Sequence, residues 1–281
     1  MNIEQIVKEV IKEMEVEARS ETKKRSNNKT REFVYSAEKR VTVDSPVNQD
    51  SIELAQSQTP ARIGIGHSGT RMKTKNYLDF RIDHAAAQDA VMKDVSTSVL
   101  KEMKLPNLSS KASSMEEYLM NLDVGRSLDE NSVEWLKENG VKGKQVQIII
   151  SDGLSSTGIE ETVPDLLPAL IQGLEGKGIT IGVPVFIRKS RVWIQDEVAR
   201  LVDCDLVVSL IGERPGLATS KSISAYLIYR PNENSVEADR TVFSNIHSGG
   251  VPPIEAGAYL SDVIEEMLNY QASGVKYSQM K

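Results

Sequence analysis

Three polar, glycine-bounded segments hold the residue types from which a ligand site can be built. Ser151-Asp152-Gly153 follows the β-branched run Val146–Ile150, and Gly212-Glu213-Arg214-Pro215-Gly216 follows the apolar run Leu206–Ile211. The third, Glu237 to Pro253, is dense in polar groups and has little helix or strand period. Small, glycine-rich loops let the backbone approach a ligand closely. In the second segment, Pro215 fixes the backbone and the glycines permit a sharp turn. Glu213 and Arg214 there offer a carboxylate and a guanidinium to the polar edge of a ligand; a solvated turn has the same composition. A long irregular segment inside a compact domain is usually functional or disordered. The apolar residues within Glu237 to Pro253 argue for order.

Other constellations carry less. Ser151, Asp152 and His247 are the residue types of a hydrolytic triad, but no Gly-x-Ser-x-Gly elbow is present, and Ser-Asp-Gly after a strand reads as a helix-capping turn. Gly64-Ile-Gly66-His-Ser-Gly69 matches the dinucleotide fingerprint in letters only. That motif needs a strand before it, a helix at once after it and an acidic residue about 20 positions on. Thr59-Pro60-Ala61-Arg62 is a poor strand, so a glycine-rich loop at a domain or subunit edge is the better reading. The three histidines, His67, His84 and His247, and the single Cys204 leave no metal-binding spacing. Cys204 reads as a small buried hydrophobe between a helix end and a strand.

The elements that must position these loops alternate. Strands are expected at Val146–Ile150, Ile179–Ile187, Leu206–Ile211 and Ser222–Tyr229, with helices through Val163–Leu174 and Ile194–Leu201 and a last helix at Ile254–Gln271. Strands alternating with helices predict an α/β fold: an open, largely parallel, Rossmann-like sheet with helices on both faces. Ligands in such sheets sit beyond the carboxyl ends of the strands, where the first two loops lie. Upstream, Lys73–Val95, Met115–Leu122 and Leu128–Asn139 read as helices, and Pro106–Ser110 as loop. The division expected is an amphipathic helix at 1–16, a flexible linker at 17–58, a helical region at 59–144 and an α/β cofactor-binding domain at 145–281. In the first helix Ile3, Ile6, Val7, Val10, Ile11 and Met14 recur at helical spacing. Such a helix either docks to a partner or packs on the body.

The formal net charge is -6 over 281 residues, a poor basis for general nucleic-acid binding. No apolar run reaches the length of a membrane span, and no secretory signal opens the chain. One cysteine cannot form an internal disulfide, which suggests an intracellular protein.

Taken together and in order, Ile149-Ile-Ser-Asp-Gly-Leu-Ser155, Gly212-Glu-Arg-Pro-Gly216 and Glu237 to Pro253 resemble the small subunit (light chain) of ethanolamine ammonia-lyase. Arg62–Val95 resembles that family's helical region, and the likeness extends over residues 60–278. It implies a lyase that converts ethanolamine to acetaldehyde and ammonia with adenosylcobalamin, the cofactor lying between this subunit and a large subunit that carries most catalytic groups. A hetero-oligomer follows, with no catalytic residue and no metal ligand on this chain. The cofactor contacts it implies are Val192, Glu213 and Val242. At Val242 the family pattern has cysteine after Asp-Arg-Thr, so a polar side-chain contact is lost there while a packing contact is kept. The resemblance also implies a cytoplasmic protein within a bacterial microcompartment, with residues 1–16 directed to its shell or cargo. Two other classes fit the residues alone: an independent α/β protein that binds a nucleotide or phosphate, and a purely structural scaffold subunit.

Overall fold

In a computed structural model, which describes residues 39–281, the chain enters its body through helix α1, Gln49–Gln58. The amphipathic helix expected at 1–16, and most of the stretch read as linker, lie outside the described residues. The end of that stretch is helical: Asn48 accepts from Ser51 N at 3.0 Å as the N-cap. Gln56, buried on its inner side, donates to Ile63 O at 2.7 Å. A polar helix of this kind is held by side-chain-to-backbone bonds rather than by an apolar face, which is why composition alone suggests linker.

A two-stranded hairpin follows, β1 His67–Ser68 and β2 Arg71–Met72, then helix α2, Thr74–Met92. Helix α2 is buried only at Asn76 near its start and Ala90 near its end, while Tyr77, Leu78 and Ile82 on the face read as apolar are exposed. Short helix α3, Thr97–Glu102, leads to β3, Asn107–Ser109, a strand where loop is expected from the sequence. Helices α4, Met115–Met120, and α5, Glu130–Asn139, precede the central run β4, Val146–Ser151. Then come α6 Ser156–Gly176, β5 Val185–Arg188, α7 Ile194–Val202, β6 Leu206–Gly212 and β7 Ile223–Tyr229. The chain ends with β8 Thr241–Ile246, α8 Pro253–Tyr270 and α9 Gly274–Met280.

Six strands form one sheet in the order β3-β5-β4-β6-β7-β8. The first four are parallel, and β7 and β8 run antiparallel to their neighbours. The second strand starts later than its apolar run, at Val185, because Pro184 has no N–H for the ladder; before it, Ile181 makes only a single bridge with Val146.

Side chains alternate across the sheet. Ile148, Ile150, Val208 and Leu210 meet α6 and α8, through Leu166, Leu170, Leu260 and Ile264. Ile149 and Val207 meet α5 and α7 on the other face, through Leu136, Val198 and Val202. Each such side chain, sealed from water, contributes roughly 2 kcal/mol. Helix α6 runs through Pro164 and Pro168 because both lie on its exposed side, where water can serve the carbonyls they leave unpaired. Its buried face holds it in place. The crossover through α6 covers one face and that through α7 the other, so the chain reverses its direction of growth beside β4. The crevice for a ligand in such a sheet lies there, at the carboxyl ends of β4 and β6.

Candidate functional site

At that edge two loops lock backbone to backbone. Leu154 N donates to Gly212 O at 3.0 Å. Gly153 has φ +51, a conformation that glycine adopts without strain, and a Cβ there would lie 2.7 Å from Gly212 O. A Cβ on Gly212 would lie 2.2 Å from Asp152 O and 2.4 Å from Ser155 O. Ser155 caps α6 by accepting from Gly158 N at 2.9 Å and donates to Ser220 O at 2.5 Å, tying the loop after β6 to the start of the helix.

Above this junction opens a cleft of about 430 Å³. Leu154 lines it from the first loop, Glu213 and Arg214 from the second, Arg191, Val192 and Trp193 from the segment after β5. Tyr118 of α4, Tyr226 of β7 and Val242 of β8 complete the wall. Val192, Glu213 and Val242, drawn from three separate parts of the sequence, therefore line one cavity. Val242 is 44% exposed and faces outward beside Tyr226, its partner across β7 and β8.

Glu213 is fixed by its surroundings. Its Oε1 accepts from Ser224 Oγ at 2.5 Å and from Asn245 N at 2.8 Å. Its Oε2 has no hydrogen-bonding partner among the described residues, so one carboxylate oxygen anchors the group and the other is available. Glu213 and burial together raise the pKa of Tyr226, burial being the larger cause. Tyr118 donates to Ser190 O at 3.1 Å and burial pushes its phenol up to about 12, so it stays protonated. The Arg191 guanidinium stacks 4.2 Å over the Tyr118 ring and donates to Tyr118 O, yet its buried Nε has no partner. Arg240, buried, binds Asp196 at 2.6 Å and Val236 O at 2.9 Å, fastening the segment before β8 to α7. Burial raises the pKa of Asp196, and the Arg240 charge opposes that rise.

Other sequence candidates separate from the cleft. Ser151 and Asp152 lie under its floor, both fully buried. His247 bonds only within its own turn, to Asn245 Oδ1 at 2.9 Å and from Gly249 N at 3.0 Å, so no triad forms. Gly64–Gly69 leads into a hairpin and not into a helix N-terminus, and Gly66 is taken up by Thr42 and Lys73. Cys204 is buried, and burial pushes its thiol up to about 12. Among the described residues no group of histidine, cysteine and carboxylate side chains could hold a metal ion, and no helix is long and apolar enough to cross a membrane. Tyr118, Arg191 and Tyr226 carry no local signal in the sequence, since a tyrosine in a short helix or strand looks like any core residue.

A sequence model of the family described as ethanolamine ammonia-lyase light chain (EutC) matches residues 49–278. The ethanolamine ammonia-lyase small subunit of Clostridium tetani (strain Massachusetts / E88) is 47% identical over 233 residues, covering 83% of this chain and 79% of that protein. The one from Fusobacterium nucleatum subsp. nucleatum is 40% identical across 98% of this chain and 97% of the relative. That of Clostridium perfringens is 37% identical across 97% and 96%.

Proposed function

The chain belongs to the ethanolamine ammonia-lyase light-chain family, and we propose that its cleft is one wall of the adenosylcobalamin site, facing the large subunit of the same lyase. The observation that carries this reading is the convergence of Val192, Glu213 and Val242 on one cavity at the strand ends. The lining suits a corrin and its amide side chains. Val192, Trp193, Leu154 and Val242 offer apolar surface, and Glu213 Oε2 can accept from an amide N–H. A cleft of about 430 Å³ takes an edge of so large a cofactor, and the rest of it would meet the partner. When bound, adenosylcobalamin supplies radical chemistry by breaking its cobalt–carbon bond. The part of this chain is to bind and orient the cofactor and to keep water from its edge.

Co-expression with the large subunit tests the reading. Ammonia release from ethanolamine with added adenosylcobalamin is expected from the pair and from neither chain alone. In that complex Glu213→Ala is expected to weaken cobalamin binding about tenfold or more, the loss of a charge-assisted hydrogen bond. Glu213→Gln, which keeps an oxygen for Ser224 and Asn245, should lose less. Turnover by this chain alone, or unchanged cobalamin retention in Glu213→Ala, would refute the assignment.

The apolar spacing in residues 1–16 supports a second element of the proposal, docking to the shell or cargo of a bacterial microcompartment. Removal of residues 1–16 is expected to leave ammonia release unchanged and to abolish co-sedimentation of the enzyme with shells. Full co-sedimentation after the deletion would rule out that role for the segment.

A further inference from the structure

Asp152 is 1% exposed, and among the described residues no side chain forms an ion pair with it. Arg188 and Lys189, the nearest cations, turn to Asp94 at 3.5 and 3.7 Å. Its Oδ1 accepts from Lys189 N at 2.6 Å and, at 3.3 Å, from the neighbouring Ser151 Oγ, while Oδ2 is buried with no partner among the described residues. Beside it, Ser151 Oγ accepts from Ser190 N at 3.3 Å. The receiving segment is not relaxed. Lys189 has φ 52, a left-handed conformation that a residue with a side chain adopts at a cost. From there the chain passes to Arg191, whose N–H donates to Gly125 O at 2.7 Å, and then to Val192 and Trp193 in the cleft.

Resting on the cofactor reading above, we propose that Ser151 and Asp152 are positioning residues. They hold the turn at Lys189-Ser190 so that Val192 and Trp193 stand against the cofactor, and they never touch it themselves. Strand β4, from whose end that wall is set, is paired on both sides and buried on both faces.

The test uses the complex of this chain with the large subunit, in wild-type form and with Asp152→Ala or Asp152→Asn. Two quantities are read: the dissociation constant for cyanocobalamin, and amide hydrogen exchange along this chain. Asp152→Ala is expected to weaken cyanocobalamin binding about tenfold, the scale of one lost charge-assisted bond. It should speed exchange at residues 189–193 while β6 stays protected, with KM for ethanolamine unchanged. Asp152→Asn keeps the acceptor oxygen and is expected to stay within about threefold of wild type. If Asp152→Ala fails to assemble, Ser151→Ala takes its place, with a smaller shift in the same two quantities. Wild-type affinity in the alanine variant, equal losses in the alanine and asparagine variants, or exchange raised evenly through the sheet would each overturn the proposal. A wild-type complex that binds no cobalamin would overturn the cofactor reading instead, and exchange at residues 189–193 would still decide whether the turn is held from β4.

Discussion

Gly212→Ala is expected to be the most damaging methyl group that can be added to either loop at the cleft. Its strain would not come from backbone torsion. The added carbon would fall 2.2 Å from Asp152 O, 2.4 Å from Ser155 O and 2.8 Å from Ser155 N. All three are backbone atoms of the neighbouring loop, so no rotamer change relieves the clash. Either β6 parts from the loop, breaking the bond from Leu154 N, or the start of α6 shifts and loses its cap. A cost on the order of 4 kcal/mol is expected, a large share of the 5–15 kcal/mol that holds a typical domain together. In calorimetry of the assembled complex, this chain's transition should fall by about 10 °C or more. Gly176→Ala is the control, since a Cβ there meets nothing within 4 Å and the position is helical. It should melt at or slightly above wild type, because alanine favours helix over glycine by up to about 1 kcal/mol. A Gly212→Ala protein that melts with the control would mean that the two loops are not packed as closely as their geometry implies.

The legible and illegible parts of this fold divide by where the determining contacts lie. Val146–Ile150 and Leu206–Ile211 are readable because a strand buried on both faces is apolar at nearly every position, here all but Gln147 and Ser209, and the signal is local. Asn107–Ser109 is a strand only because Phe186, Ile187 and Arg188, far along the chain, pair with it. Nothing in Asn-Leu-Ser announces that. Thr241–Ile246 hides for a second reason: as an edge strand with most of its residues outside the core, its composition resembles loop. The alternation in α2 misleads in the opposite direction, since Tyr77, Leu78 and Ile82 have the spacing of a core face and yet stand exposed. At the site, glycine-rich loops beyond strand ends could be anticipated from topology. That Val192, Glu213 and Val242 belong to one cleft came from family likeness, because 50 residues separate the first from the last. Tyr118 and Arg191 join them only through the tertiary contact of α4 with the segment after β5.

Asp152→Asn is expected to change how stability depends on pH. The carboxyl is pushed up to about 6 by burial, against the lowering effect of the Lys189 amide and of the Lys189 and Arg188 charges. In the unfolded chain the same group titrates near 3.9. Between about pH 4 and pH 6 the folded chain therefore binds more protons than the unfolded one, and by linkage this group's contribution to stability falls as pH rises through that window. Titration near 6 in place of about 4 corresponds to roughly 3 kcal/mol, present in full at low pH and gone above about pH 6. Asparagine cannot ionise and removes the fall. Its amide nitrogen, placed where Oδ2 has no partner, carries a constant penalty of about 1–3 kcal/mol. The absolute stability of the variant is thus a balance, whereas its difference from wild type has a fixed direction. The variant should gain on wild type by several degrees in transition temperature between pH 5 and pH 8, measured by calorimetry of the complex. A gap between the two proteins that does not change with pH would mean that Asp152 titrates as an ordinary carboxylate, with its charge reached by solvent. An ordinary carboxylate there would also remove the reason for the turn at Lys189 to close over it, since the bond from Lys189 N is the principal compensation that the buried charge has.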